Sequence, residues 1–163
     1  MDKVLAALSL ILCFWCASAE TEFKDCGSSG EVLRLKVLDC YHPPCYFQQK
    51  TNVTALLHFR TSEDAEVIHN LTSSFVAVLT PELEFPFPYN RTDVCSRLQN
   101  APDEESKYST AKQCPIGPGT EVIYNTVLPL EDEYPKIRAT IRWSITDQSN
   151  NTIACVEVLC ELL

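Results

Sequence analysis

Apolar and polar residues alternate along much of this chain, most clearly over residues 136–146. There Ile137, Ala139, Ile141, Trp143 and Ile145 take every second position, with Lys136, Arg138, Thr140, Arg142 and Ser144 between them. Successive side chains of a strand point to opposite faces, so this spacing predicts a half-buried strand with one dry face and one wet face. Val53, Ala55, Leu57 and Phe59 alternate in the same way with Thr54, Leu56, His58 and Arg60, a register that turns Asn52 outward. Further strands are predicted over residues 31–37, 74–79, 122–128 and 152–160.

The breaks between these segments are short. Asp147-Gln148-Ser149-Asn150 has turn composition and predicts a hairpin, and Gly117-Pro118-Gly119 is another stop. Several short strands, frequent turns and no sustained helical period predict an all-β sandwich of two antiparallel sheets. Two segments stand outside the pattern. Glu84-Phe85-Pro86-Phe87-Pro88-Tyr89 is aromatic but carries two prolines, which donate no backbone hydrogen bond, so it is an edge strand or a loop. Residues 100–110 are polar and acidic and read as a loop.

The first residues belong to a different element. Lys3 precedes an apolar run over residues 4–15, and Ala17-Ser18-Ala19 supplies the small-x-small pattern of a signal-peptidase site. The run is short for a membrane span, which needs about 20 apolar residues. Residues 1–19 are therefore expected to be a cleaved signal peptide, and residues 20–163 a single domain. The domain keeps the net charge of −9 of the whole chain, since the leader holds one Asp and one Lys. An acidic chain without a basic run is a poor partner for nucleic acid.

Export changes the meaning of the cysteines. Cys13 and Cys16 fall in the leader, and seven remain: Cys26, Cys40, Cys45, Cys95, Cys114, Cys155 and Cys160. They read as a disulfide framework with one cysteine left over, either unpaired or bonded to another molecule. Glycosylation sequons begin at Asn52, Asn70, Asn90 and Asn150, and each one used must lie at the surface. Catalytic signatures are absent. The chain has three histidines, His42, His58 and His69, and four glycines, with neither an H-E-x-x-H nor a G-x-S-x-G motif. His58 is expected to be solvated on the outer face of its strand. No enzymatic activity, metal or cofactor is expected.

Phe23-Lys24-Asp25-Cys26-Gly27-Ser28 near the mature start, Asp39-Cys40-Tyr41-His42-Pro43-Pro44-Cys45, and the strand sequon Asn52-Val53-Thr54 occur in a distinctive order. Pro86-Phe87-Pro88 before Cys95, Cys114-Pro115-Ile116, Leu128-Pro129-Leu130, Glu133-Tyr134-Pro135 and Ala154-Cys155-Val156-Glu157 complete it. In this order and spacing the chain resembles the ML-domain lipid-recognition family, most of all its soluble sterol-transfer branch, over nearly the whole mature length.

The resemblance implies an immunoglobulin-like sandwich whose sheets splay to admit a lipid, with disulfides Cys26–Cys155, Cys40–Cys45 and Cys95–Cys114. Cys160 is then left over. If it shares the inward face of the last strand with Val156 and Val158, it is a buried thiol that behaves as a small apolar residue; the alternative is an intermolecular bond. The resemblance also places Phe87, Leu130 and Tyr134 at the mouth of the lipid pocket. Phe87 is confined by prolines on both sides, Leu130 follows Pro129, and Tyr134 offers an apolar ring with a hydroxyl expected near water. Trp143, Ile141, Val78, Val76 and Phe59 are candidates for the wall, although any sandwich core has such residues.

The implied role is a carrier, secreted or lysosomal and monomeric, that binds a sterol or similar apolar lipid and passes it to a membrane acceptor protein. Each 100 Å² of apolar ligand surface buried contributes about 2.5 kcal/mol, so tight binding needs no charged contact. Relatives of the same family suggest two alternatives: an arthropod-type carrier of fatty acids or semiochemicals, and an innate-immune lipid-recognition module. Acidic segments near the mouth, residues 82–84 and 131–133, disfavour a phosphorylated ligand. A sandwich with no pocket is the remaining alternative. The chain departs from the family pattern between Cys95 and Cys114, where eighteen residues replace a handful and include Asp103-Glu104-Glu105. That insertion either covers the mouth, and then bears on acceptor docking, or is a solvated loop.

Overall fold

A computed structural model describes residues 20–88, 92–101 and 110–163. The expected signal peptide at 1–19, the sequon asparagine Asn90 and the acidic run Asp103-Glu104-Glu105 lie outside the described residues. Twelve strands form among those described: β1 (Lys24–Asp25), β2 (Glu31–Val37), β3 (Cys45–Phe47), β4 (Thr51–Arg60), β5 (Leu71–Thr80), β6 (Leu83–Pro86), β7 (Thr92–Asp93), β8 (Leu98–Asn100), β9 (Ala111–Lys112), β10 (Glu121–Leu130), β11 (Arg138–Asp147) and β12 (Thr152–Leu162).

They build two sheets. One runs β1-β12-β11-β5-β6, with β3 added beside β12 and β7 beside β5; the other runs β2-β4-β10-β8-β9. Every pair is antiparallel except β3 with β12, which runs parallel. The architecture is the β-sandwich that the alternation predicts. Strand β5 begins at Leu71, earlier than expected, because its small polar residues still serve the core. Ser73 is fully buried and its hydroxyl accepts a hydrogen bond from the Trp143 indole at 2.8 Å.

The core is the stack of inward rows from both sheets. Leu57 and Phe59 of β4, Tyr124 of β10, Leu98 of β8 and Ile145 of β11 are all nearly or fully sealed from water. Burying one such side chain contributes roughly 1.5–3 kcal/mol. The β11–β12 hairpin closes at Asp147, whose carboxylate accepts from the backbone of Ser149 and Asn151 at 2.8 Å each, while Asn150 takes a positive φ of 61°. Asx turns of this kind suit Asp and Asn.

Three disulfides join Cys26 to Cys155, Cys40 to Cys45 and Cys95 to Cys114. The first spans 129 residues. In the chain-entropy treatment, a loop of that length stabilises the fold by about 4–5 kcal/mol. Cys160 has no disulfide partner among the described residues. The described flanks of the Cys95–Cys114 insertion form β8 and β9, and β8 joins the second sheet beside Val122, Ile123 and Tyr124.

On the outer face of that second sheet, His58 is not the solvated residue expected. Only 12% of its side chain is exposed, and its Nε2 lies 2.6 Å from the Glu121 carboxylate, which also accepts from Arg60 at 2.9 Å. Burial opposes ionisation of Glu121, but the hydrogen bonds from Arg60 and His58 outweigh it and hold the carboxyl below its ordinary range. A depressed folded-state pKa contributes stability above the unfolded value, near 4.5, and loses it as pH falls through the folded value. Glu121→Gln is therefore expected to flatten the acid limb of stability in urea melts taken from about pH 7 down to about pH 3. An unchanged acid limb would show that other carboxylates carry it.

A second prediction concerns the seam where β2 starts. Gly30 donates its N–H to the Ile153 carbonyl at 3.1 Å, and a Cβ there would meet the Arg60 carbonyl oxygen. Gly30→Ala should therefore force backbone displacement and cost about 1–3 kcal/mol, as overpacking does. Chemical denaturation measures it, with the Gly27→Ala substitution as a contrast, since nothing lies within 4 Å of a Cβ there but its φ is +110°.

Candidate functional site

The two inward faces pack tightly at one end of the sandwich and part at the other. The gap is a cavity of about 530 Å³, within the range of about 300–1,000 Å³ that holds a single small ligand. Its position follows from side-chain size. Where the strands are filled by Tyr124, Phe59 and Leu57, the sheets touch; where the inward row holds Ala55, Ala77 and Ala139, they leave room. Phe75 and Trp143 form the floor, with ring centroids 5.0 Å apart and planes 21° from parallel, and Tyr124 supports Trp143 from behind at 5.9 Å. The indole nitrogen is already bonded to Ser73, so the floor presents ring faces rather than a free donor.

The mouth lies where β5, β10, β11 and β12 reach or leave the open end. Phe87 and Tyr134 meet there edge to face, with centroids 5.6 Å apart and planes at 85°. Phe87 follows edge strand β6 and is kept in line by its N–H, which donates to the Phe75 carbonyl at 3.0 Å. The two-proline segment is thus an edge strand whose inward residues, Phe85 and Phe87, both face the cavity. Glu84, on the opposite face, pairs with Arg142 at 2.8 Å, and Arg142 also pairs with Glu157.

Tyr134 sits in the β10–β11 turn. Gln49 donates to the carbonyls of Asp132 and Tyr134 at 3.0 and 2.6 Å, and Lys50 pairs with Asp132 at 3.0 Å, so the turn is tied to the segment leading into β4. The Tyr134 hydroxyl differs from expectation. It is shielded from water and has no hydrogen-bond partner among the described residues, although the ring itself is half-buried. Burial, with Glu131 and Glu133 adding to it, pushes its pKa above the usual value, so it stays protonated.

The structure brings Phe87, Leu130, Tyr134, Ile141 and Trp143 together around this one cavity. Three other residues expected on the wall lie elsewhere. Val76 and Val78 occupy the opposite parity of β5, in register with Arg142 and Thr140, and it is Phe75, Ala77 and Leu79 that face inward. The reason is visible in the segment itself: both parities of Phe75-Val76-Ala77-Val78-Leu79 are apolar, so alternation there does not choose a face. Leu71 and Ser73, both fully buried at the start of β5, do choose it. Phe59 does point inward, but it belongs to the packed end and does not line the cavity. Reading for ring-bearing and branched residues also misses the alanines, whose small size makes the space.

Asn52, Asn70 and Asn150 are exposed. The described flanks of the insertion join the second sheet beside Val122–Tyr124, at the packed end, whereas the cavity lies near Leu128 and Leu130 of the same strand. Cys160 lines the cavity together with Val156 and Val158. Burial pushes its thiol up to about 12. At about pH 8 its thiolate fraction should be about a thousandfold below that of an ordinary cysteine, and alkylation by iodoacetamide correspondingly slow until the protein unfolds. Rapid modification of the native protein would show that the wall opens to water.

A profile described as ML domain matches residues 20–162. The chain is 28% identical over 159 residues to NPC intracellular cholesterol transporter 2 of Mus musculus, covering 96% of this chain and 95% of that protein. It is 26% identical over 140 residues to NPC intracellular cholesterol transporter 2 homolog a of Drosophila melanogaster, covering 84% of each. Among solved structures, a Niemann-Pick type C2 protein from Japanese carpenter ant superposes with a TM-score of 0.69 at 21% identity, over 87% of this chain and 99% of that one.

Proposed function

Because this chain belongs to the ML-domain family, we propose that it is a carrier that binds and transfers a sterol or a similar neutral, mostly apolar lipid. The observation that carries this reading is the cavity: one space between the sheets, walled by aliphatic and aromatic side chains and open at one end. A rigid ring system of roughly that size loses hydrated apolar surface on entering, at about 2.5 kcal/mol per 100 Å². The names of the relatives, which speak of cholesterol transport, support the same ligand class.

In this reading Phe87, Leu130 and Tyr134 form the rim, and Ile141 and Trp143 form the inner wall with Phe75 and Ala77. The chain is a monomeric carrier without catalytic function, exported and acting outside the cell or in the lysosome. Its three disulfides and exposed sequon asparagines support an oxidising, glycosylating route. Passing the ligand to a membrane acceptor protein completes the role.

Binding of the fluorescent sterol dehydroergosterol to the mature chain tests it. Saturable binding is expected. Ala77→Trp should fill the cavity and abolish binding while the protein stays folded. Phe87→Ala should weaken binding about tenfold through lost ring contact. Val76→Ala, on the outer face, should leave binding unchanged. If wild type binds no sterol and mass spectrometry finds a different lipid in the purified protein, the ligand class changes to that lipid. If Ala77→Trp binds as well as wild type, the cavity is not the site.

A further inference from the structure

Three cysteines converge beside the cavity. Cys40 and Cys45 are disulfide-bonded and buried, in the segment between Val37 and Phe47, which both line the cavity. Cys160, a free thiol, lies in the cavity wall on β12. Strand β3 runs parallel to β12 and sets Cys45 in register with Cys160. Registered residues of neighbouring parallel strands project from the same face, with the strands about 4.8 Å apart. That spacing is inside the Cα separation of about 4.4–6.8 Å that a disulfide bridges. We infer that Cys160 and the Cys40–Cys45 disulfide form a thiol–disulfide exchange site, in which the Cys160 sulfur displaces Cys40 from Cys45.

The step balances within the chain. Cys160 gives its proton to water, and its thiolate attacks the Cys45 sulfur. The Cys45–Cys160 bond forms as the Cys40–Cys45 bond breaks, and the departing Cys40 thiolate takes up a proton. No outside oxidant or reductant is consumed. The exchange moves the free thiol from the cavity wall to a loop between the exposed Asp39 and Tyr41, and it ties β3 covalently to β12. Protonation of the attacker holds the step back. The Cys160 thiol donates to the Val158 carbonyl at 3.6 Å, and burial pushes its pKa up to about 12. Its surroundings are mostly apolar. Ala139 is its neighbour on β11, and Leu35, Val37 and Val53 of the second sheet line the same cavity. Tyr134 and Glu161 are the titratable groups that share this lining, and Arg138 is the register partner of Glu161 on β11. The thiolate is the attacking species, so the exchange follows its fraction. The inference goes beyond the carrier reading and does not depend on what fills the cavity.

The test follows the position of the free thiol in the mature protein. Samples are held between about pH 7 and about pH 9.5, over the range where circular dichroism shows the native fold, and exchange is stopped with acid. They are then unfolded in acidic guanidinium, labelled with N-ethylmaleimide and mapped by peptic digestion. Before incubation the label is expected on Cys160. With time a growing share should move to Cys40, together with a linked Cys45–Cys160 peptide pair. The rate should rise about tenfold per pH unit, as the thiolate fraction does below the thiol pKa of about 12. Cys160→Ala should show no labelled Cys40. A secreted Cys40→Ser variant should carry a Cys45–Cys160 disulfide, because Cys45 then has no other nearby partner. A label that stays on Cys160 at every pH overturns the inference. So does labelled Cys40 in Cys160→Ala, which would mean that hydroxide cleaves the disulfide. Label spread over Cys26, Cys95, Cys114 and Cys155 would mean scrambling through unfolding, and it too overturns the inference. If the denatured starting protein has no free thiol, Cys160 is already bonded to another molecule and the inference falls.

Discussion

The constraint on which this structure depends is the alternation of its strands combined with a gradient in the size of their inward residues. A strand sends every second side chain into the sandwich and has no freedom to choose otherwise. What the inward row contains therefore sets how closely the sheets can approach. At one end the row is Tyr124, Phe59, Leu57, Leu98 and Ile145, and the sheets are held by contact. Toward the other end Ala55, Ala77 and Ala139 take the same positions and the contact fails. The cavity needs no special loop or lid for its existence. It is the part of a sandwich core that the inward side chains are too small to fill.

The open end has to be held without core contacts, and the structure shows what replaces them. Among the described strands β6 pairs only with β5, and on the outer face it is linked toward β11 and β12 by the Glu84–Arg142–Glu157 chain of ion pairs. The Glu84–Arg142 pair is partly exposed, and such pairs contribute little singly, roughly 0–1 kcal/mol, so its part is to fix the position of β6 more than to add stability. The β10–β11 turn is tied through Gln49 and Lys50 to the segment leading into β4, the neighbour of β10 in the same sheet. Phe87 and Tyr134 thus meet across the mouth because their backbones are separately anchored, and their ring contact is a consequence of that anchoring.

How much of this is legible in the sequence depends on how unequal the two faces of each strand are. In β4 and β11 one face is apolar and the other polar, and both the strand and its inward residues follow directly from the pattern. In β5 the two faces are alike over Phe75–Leu79, so Val76 and Val78 are as plausible as their neighbours, and the buried Leu71 and Ser73 at the start of the strand settle the face. Phe59 shows a different limit. Its orientation is legible, but its depth along the sandwich is not, because depth depends on register with β10 and β2. Register likewise places the described flanks of the insertion, whose strand β8 pairs beside Val122–Tyr124. The alanines are legible only in retrospect, since a small residue in an inward row signals space only when its cross-sheet partners are also small.

An apolar cavity is a weakness in a fold, because its lining forgoes the contacts that close packing would give. The chain accepts this at one end and compensates at the other. The disulfide between Cys26 and Cys155 ties the beginning of the domain to β12, whose inward residues continue into the cavity wall. That arrangement lets β12 keep its place whether or not the space beside it is filled. For a carrier this matters more than maximal stability. A ligand that binds only the native state adds stability in proportion to the logarithm of its concentration over its dissociation constant. A protein that depended on that term to stay folded could not release its cargo. The packed end and its cross-links make the open end affordable, and they allow the ligand to enter and leave a scaffold that persists without it.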